Sequence, residues 1–205
     1  MPKKLKLHLG CGTVYLKGYV NIDSPRHRYR GKHFDIIKRD NETTLDKYYK
    51  YPFVWAHSSK RPIIADKYID ITKLHMYYKD NSVNEILAYQ VIEHFPQHII
   101  MGVLQKWYDI LKKGGIFRVD VPDIVETLKM INGVDYDNID HMHKEYLDYI
   151  LRLIYGSGKN EYFIHYDGYY PRKLKEILKK IGYRRIIKHR ENIHDYPAFG
   201  FTCIK

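Results

Sequence analysis

Two cysteines, Cys11 and Cys203, are all that the 205 residues contain. That is too few for a disulfide framework or a thiolate zinc cluster. No apolar run approaches the roughly 20 residues a bilayer span requires, so no membrane span is expected. The N-terminus, Met1-Pro2-Lys3-Lys4-Leu5, runs straight into a strand-like segment and has no apolar secretory stretch. These absences fit a reduced, cytoplasmic protein. Internal repeats, low-complexity tracts and an Arg-rich tail are also missing, and nothing marks a second domain. The length fits one α/β domain, and 44% hydrophobic residues can supply its core.

Acidic charge is the minority: the formal net charge is +11 and the pI about 9.4. Such a balance favours anionic partners such as nucleic acid, phosphorylated or nucleotide-linked substrates, or acidic glycan. The basic residues are dispersed, however, so a Lys-rich solvated surface explains them equally well.

The strongest local signal is Leu7-His8-Leu9-Gly10-Cys11-Gly12, followed by Tyr19-Val20-Asn21-Ile22-Asp23. An apolar strand enters a Gly-x-Gly turn, and a second strand soon ends on a carboxylate. Glycines tolerate positive φ and let backbone approach a ligand closely. An Asp at the neighbouring strand tip has two acceptor oxygens for a ribose diol. The third glycine of the longer dinucleotide fingerprint is missing, and Asp23 comes sooner than the roughly 20 residues expected of a nicotinamide enzyme. Hydride transfer is therefore disfavoured.

Further strands are expected at Tyr68–Ile71, Asn84–Tyr89, Ile116–Val121, Tyr183–Lys188 and Phe199–Ile204. Helical spacing of Ile100, Val103, Leu104, Trp107, Ile110 and Leu111 predicts a helix over Gln97–Lys112, ended by Gly114-Gly115. Two more amphipathic helices are expected at Tyr146–Ile154 and Arg172–Ile181, the latter stopped by Gly182. Strands alternating with helices imply a Rossmann-like, doubly wound, mostly parallel seven-stranded sheet with an antiparallel last strand. Residues 25–64 form an irregular insertion containing Arg26, Arg28, Arg30 and the apolar knot Phe53-Val54-Trp55. It is a candidate lid or acceptor wall.

In such sheets ligands collect beyond the carboxyl ends of the strands. There the sequence sets Gly10-Cys11-Gly12, Asp23, Asp70-Ile71, Gln90 through Glu93-His94, and Asp120-Val121-Pro122-Asp123. With Leu111-Lys112-Lys113-Gly114-Gly115 and the late block His165-Tyr166-Asp167-Gly168-Tyr169, this order resembles class I S-adenosylmethionine-dependent methyltransferases. The closest likeness is to the compact branch grouped as methyltransferase type 11. The resemblance implies S-adenosyl-L-methionine as cofactor, with Gly10, Cys11 and Gly12 near its methionine part and Asp23 on the ribose hydroxyls. It also implies Asp70 on the adenine amino group, Ile71 backbone at the ring, and Gln90 beneath the sulfonium.

For a hydroxyl acceptor, His94 is the first candidate base and His165 the second, since imidazole titrates near neutrality. Asp120 or Asp123 could orient such a histidine, although a helix cap explains Asp123 equally well. No metal site is expected, because His141-x-His143 lacks the helical i, i+4 ligand spacing and has no acidic cluster beside it. The Asn/Asp-Pro-Pro-aromatic motif of DNA amino-methyltransferases is absent after the fourth main strand. The resemblance favours a small-molecule or sugar/glycan acceptor. RNA is a second acceptor class, and a non-catalytic nucleotide-binding module is a third reading. The sequence does not set the oligomeric state.

Overall fold

The computed structural model describes residues 4–48, 62–133, 141–189, 194 and 196–205. Strand β1 (Lys6–Leu9) is buried on both faces, as a central parallel strand must be. A short ribbon pairs β2 (Tyr15–Leu16) with β4 (Glu42–Thr43), and between them lie β3 (Val20–Asp23) and helix α1 (Phe34–Asn41). The chain continues through β5 (Lys67–Tyr68), β6 (Val83–Tyr89), α2 (Gln97–Ile110), β7 (Leu111–Pro122), α3 (Ile124–Lys129), α4 (His141–Tyr155) and α5 (Pro171–Ile181). It closes with β8 (Arg185–Lys188) and β9 (Ala198–Ile204).

Seven strands form one sheet in the order β5-β3-β1-β6-β7-β9-β8. Every pair from β5 through β7 is parallel, and β9 alone runs against its two neighbours. This is the expected doubly wound topology. Strand order reverses between β1 and β6, beside Gly10 and Gln90, the position where sheets of this kind open a crevice.

The core follows from sequence spacing. Helix α2 buries Ile100, Val103, Leu104, Trp107 and Ile110, while α5 buries Leu174, Leu178 and Ile181. Trp107 packs edge-on against Phe117, which stacks on Tyr183. Gly182 ends α5 in the left-handed conformation at φ +119°, as expected.

The Gly-Gly expectation needs correction. Helix α2 stops at Ile110, because Leu111 turns extended and pairs with Val83 at the start of β7. Its last carbonyls are satisfied by Lys205, whose Nζ donates to Tyr108, Asp109 and Leu111. The third expected strand is also shorter: it ends at Tyr68, and Asp70 caps a 3-10 turn instead.

The described part of the 25–64 region is more ordered than expected. Tyr48 joins Val14, Leu16 and Tyr19 against Leu87 and Tyr89, a second core cluster. Its hydroxyl lies 3.1 Å from His8 Nε2. Phe53-Val54-Trp55 falls outside the described residues.

Candidate active site

The turn after β1 holds Gly10 at φ +58° and Gly12 at φ +53°. A Cβ on Gly10 would meet Val91 Cγ2 at 2.8 Å, so glycine is required there by space as well as by backbone. A Cβ on Gly12 would meet nothing within 4 Å. Asp23, buried at the tip of β3, faces this turn. Its Oδ2 accepts from the Gly12 amide at 2.8 Å and its Oδ1 from the Ser24 amide at 2.8 Å, with His27 Nδ1 at 2.7 Å. The Cys11 thiol sits 3.7 Å from Oδ2. Burial and the adjacent Asp23 charge push that thiol well above its ordinary range, which leaves it a packing group and not a nucleophile.

Asp23 and Asp70 lie at the same end of the sheet. The Ile69 amide donates to the Asp23 carbonyl at 2.9 Å, fixing the link between β5 and Asp70 beside the tip of β3. Asp70 Oδ1 caps its turn through the amide and hydroxyl of Thr72, and Oδ2 lies 3.8 Å from Lys73 Nζ. The Ile71 carbonyl is held by the Trp107 indole at 2.8 Å, which ties this corner to α2.

Gln90 leaves β6 at φ +55°, a conformation a non-glycine residue adopts only under constraint. Its amide donates to the Asp120 carbonyl at 2.8 Å, and its side-chain amide donates to Asp120 Oδ1. The same carboxylate oxygen is 2.8 Å from His194 Nε2. Asp120 therefore orients neither His94 nor His165. The antiparallel β9 carries the segment ahead of it across the end of β7, where the Asp123 amide bonds the Pro197 carbonyl. That crossing delivers His194, which sequence reasoning missed. Asp123 is the N-cap of α3, accepting from the Val125 and Glu126 amides.

His94 and His165 are brought together, with ring centroids 4.9 Å apart. His94 Nδ1 lies 2.9 Å from the Ile164 carbonyl and His165 Nδ1 lies 3.1 Å from the Leu153 carbonyl. A carbonyl only accepts, so each Nδ1 carries the proton and each Nε2 keeps a lone pair. Burial, then the neighbouring His165, lowers His94 to about 4, and burial lowers His165 as well. Beside them Glu93 is 1% exposed. Burial, with the Asp120 charge adding to it, pushes its carboxyl up to about 8. A long-range backbone hydrogen bond links the two segments, for the Tyr166 amide donates to the Glu93 carbonyl at 2.8 Å. The side chains of His141 and His143 lie outside the described residues.

No protein-family model matches the sequence, and no curated protein matches it. Solved structures do match in fold. One is a SAM-dependent methyltransferase from Archaeoglobus fulgidus, 12% identical, with 100% of this chain and 87% of that chain covered and a TM-score of 0.51. The S-adenosylmethionine-dependent methyltransferase SibL, in its apo form, is 12% identical at a TM-score of 0.53, with 100% and 51% covered. An O-methyltransferase family protein from Burkholderia thailandensis is 7% identical at 0.52, with 98% and 51% covered. The chain spans about half the length of the latter two.

Proposed function

Because the chain has the Rossmann-like fold of class I S-adenosylmethionine-dependent methyltransferases, we propose that it is such an enzyme. Its acceptor on this reading is a small molecule or a sugar/glycan, methylated at a hydroxyl. The observation that supports this best is the shared position of Gly10, Gly12, Asp23, Asp70 and Gln90 beyond the carboxyl ends of β1, β3, β5 and β6.

The residues present fit the cofactor. Open space borders Gly12, where any side chain would intrude. The carboxylates suit a diol and an amino group. When bound, S-adenosylmethionine supplies a methyl group activated on a positively charged sulfur. Asp23 would accept from the ribose hydroxyls, exchanging its His27 contact for them. Backbone at Gly10, Cys11 and Gly12 would border the methionine part, Asp70 Oδ2 would face the adenine amino group, and the Ile71 backbone would line the ring. Gln90, held by Asp120, would orient the cofactor's amino end.

The chain's further task is alignment of an acceptor oxygen with the methyl carbon, which can remove several kcal/mol of barrier. A hydroxyl acceptor that received the methyl group would have to give up its proton. His94 and His165 keep a lone pair on Nε2, so where nothing else occupies it either would be placed to receive that proton. Incubation with isotopically labelled methyl donor and a panel of hydroxylated small molecules, nucleotide sugars, glycans and RNAs tests the reading. Label in a sugar or small molecule supports it. Label only in RNA moves the acceptor class, and no labelled product in any arm contradicts it.

A further inference from the structure

Glu93 presents a carboxyl group that is 1% exposed, and neither of its oxygens has a hydrogen-bond partner among the described residues. A buried polar group in that condition is destabilising, and more so if charged. No group among the described residues satisfies this side chain, which leaves it available to a bound species.

The neighbours indicate what that is. One ligand-capable atom from each of Glu93, His94 and His165 lies within 4.8 Å of the other two. Both imidazoles donate from Nδ1 to backbone carbonyls, of Ile164 and Leu153. Metal-binding histidines are fixed in the same way, by an outer partner that sets the tautomer and frees the other nitrogen. The two rings come from distant parts of the sequence yet are anchored to one frame, through the Tyr166 amide on the Glu93 carbonyl and the His165 amide on the Tyr155 carbonyl. A Cβ on Gly156, at φ +78°, would collide with the Phe163 carbonyl and approach His165 Cδ2. Glycine there lets α4 end close enough for the histidine loop to return.

We propose that Glu93, His94 and His165 form a binding site for a divalent transition-metal ion. Two imidazole nitrogens and one carboxylate select ions of the zinc, cobalt, iron or manganese kind over calcium. Three protein ligands leave coordination positions open, the arrangement of a catalytic site and not of a closed structural one. Glu93 follows Gln90 by one short turn, so the open positions belong to the same end of the sheet as the candidate cofactor cleft. The further role rests on the methyl-transfer reading: the ion would hold the acceptor's hydroxyl oxygen and make it easier to deprotonate. On this inference the two histidines act as ligands, and the released proton passes to solvent.

The test uses full-length protein stripped with chelator and titrated with cobalt(II), read by its visible absorption and by calorimetry. S-adenosylmethionine is titrated separately into the same preparation. One cobalt ion per chain is expected, with the absorption bands of nitrogen and oxygen ligands. Glu93→Gln, His94→Gln and His165→Gln should each weaken binding by at least the roughly 10–100-fold that losing even an outer-shell partner costs. Circular dichroism selects variants that remain folded, and His165→Gln, on a loop, is the variant that tests the site should the others unfold. No stoichiometric cobalt binding, or binding unchanged in folded His165→Gln, overturns the inference. If S-adenosylmethionine still binds in that case, only the metal site is lost. If cobalt binds and S-adenosylmethionine does not, the metal site stands and the methyl-transfer reading falls.

Discussion

The backbone amide of Gly12 donates to Asp23 Oδ2 at 2.8 Å, so the glycine turn and the tip of β3 form one preassembled unit. This bond joins the two strongest motifs of the sequence and, on the proposed methyl-transfer reading, fixes the carboxylate that would meet the ribose.

Replacing Asp23 with asparagine keeps the shape but removes the charge. If the carboxylate grips the cofactor's diol, the lost charge-assisted bonds should weaken S-adenosylmethionine binding by roughly 10–100-fold, from about 1.5–3 kcal/mol per such bond. Calorimetric titration of the folded variant measures this directly, and undiminished affinity would contradict the assignment.

Gly10→Ala and Gly12→Ala should differ in kind. At Gly10 the new methyl meets Val91 Cγ2 at 2.8 Å, so both stability and binding should suffer. At Gly12 the methyl meets no atom of the described residues within 4 Å. Its stability cost should then be only about 1 kcal/mol for the positive φ. Cofactor affinity should nevertheless fall, because the methyl occupies the cleft. Thermal denaturation alongside ligand titration separates the two effects, and a Gly12→Ala protein that binds normally would place the cofactor elsewhere.

A pH dependence follows from His8. The ring is fully buried between Asn21 Oδ1, at 2.9 Å, and the Tyr48 hydroxyl, and burial lowers it to about 4. In the unfolded chain it takes a proton near its ordinary 6.5. Between about pH 6.5 and 4 the unfolded state therefore binds a proton that the native state refuses, and stability falls as pH falls. The full loss is on the order of 3 kcal/mol. Glu93 acts in the opposite sense, since a carboxyl raised to about 8 favours the fold less as pH rises from about 4.5. The His8 contribution is read as the difference between wild type and His8→Gln in chelator-treated protein. The variant's melting temperature should change less steeply across that window, and parallel curves would contradict the assignment.

Glu85 supplies a control away from the cleft. It is 4% exposed and receives Arg118 Nε at 2.7 Å, the Tyr19 hydroxyl at 2.8 Å and Lys6 Nζ at 3.0 Å. Glu85→Ala leaves a half-buried guanidinium without its carboxylate, which should cost about 2–4 kcal/mol by urea denaturation. S-adenosylmethionine affinity should be unchanged at temperatures where the variant is folded, and a parallel loss of binding would mean the cleft extends to this end of the sheet.

Periodicity and turn chemistry made most of the sheet legible. Leu7-His8-Leu9 reads as a buried strand, and the apolar spacing of Ile100 through Ile110 reads as a helix that packs into the same core. The end of α2 was not legible, because its carbonyls are satisfied by Lys205, a residue at the far end of the chain. His194 was hidden for the same reason: only the antiparallel crossing of β9 brings it to Asp120. Glu93 was readable as a strand-end neighbour of His94. That it is buried without a partner among the described residues, beside a second histidine from a distant loop, depends on tertiary packing that no local pattern encodes.

The most direct measurement is calorimetric titration of S-adenosylmethionine into the wild-type protein, with Asp23→Asn and Gly12→Ala run in parallel. A cleft built from the β1 turn and the β3 tip predicts one cofactor molecule per chain, bound clearly more weakly by both folded variants. Absence of binding to the wild type, or equal binding to all three proteins, would contradict it.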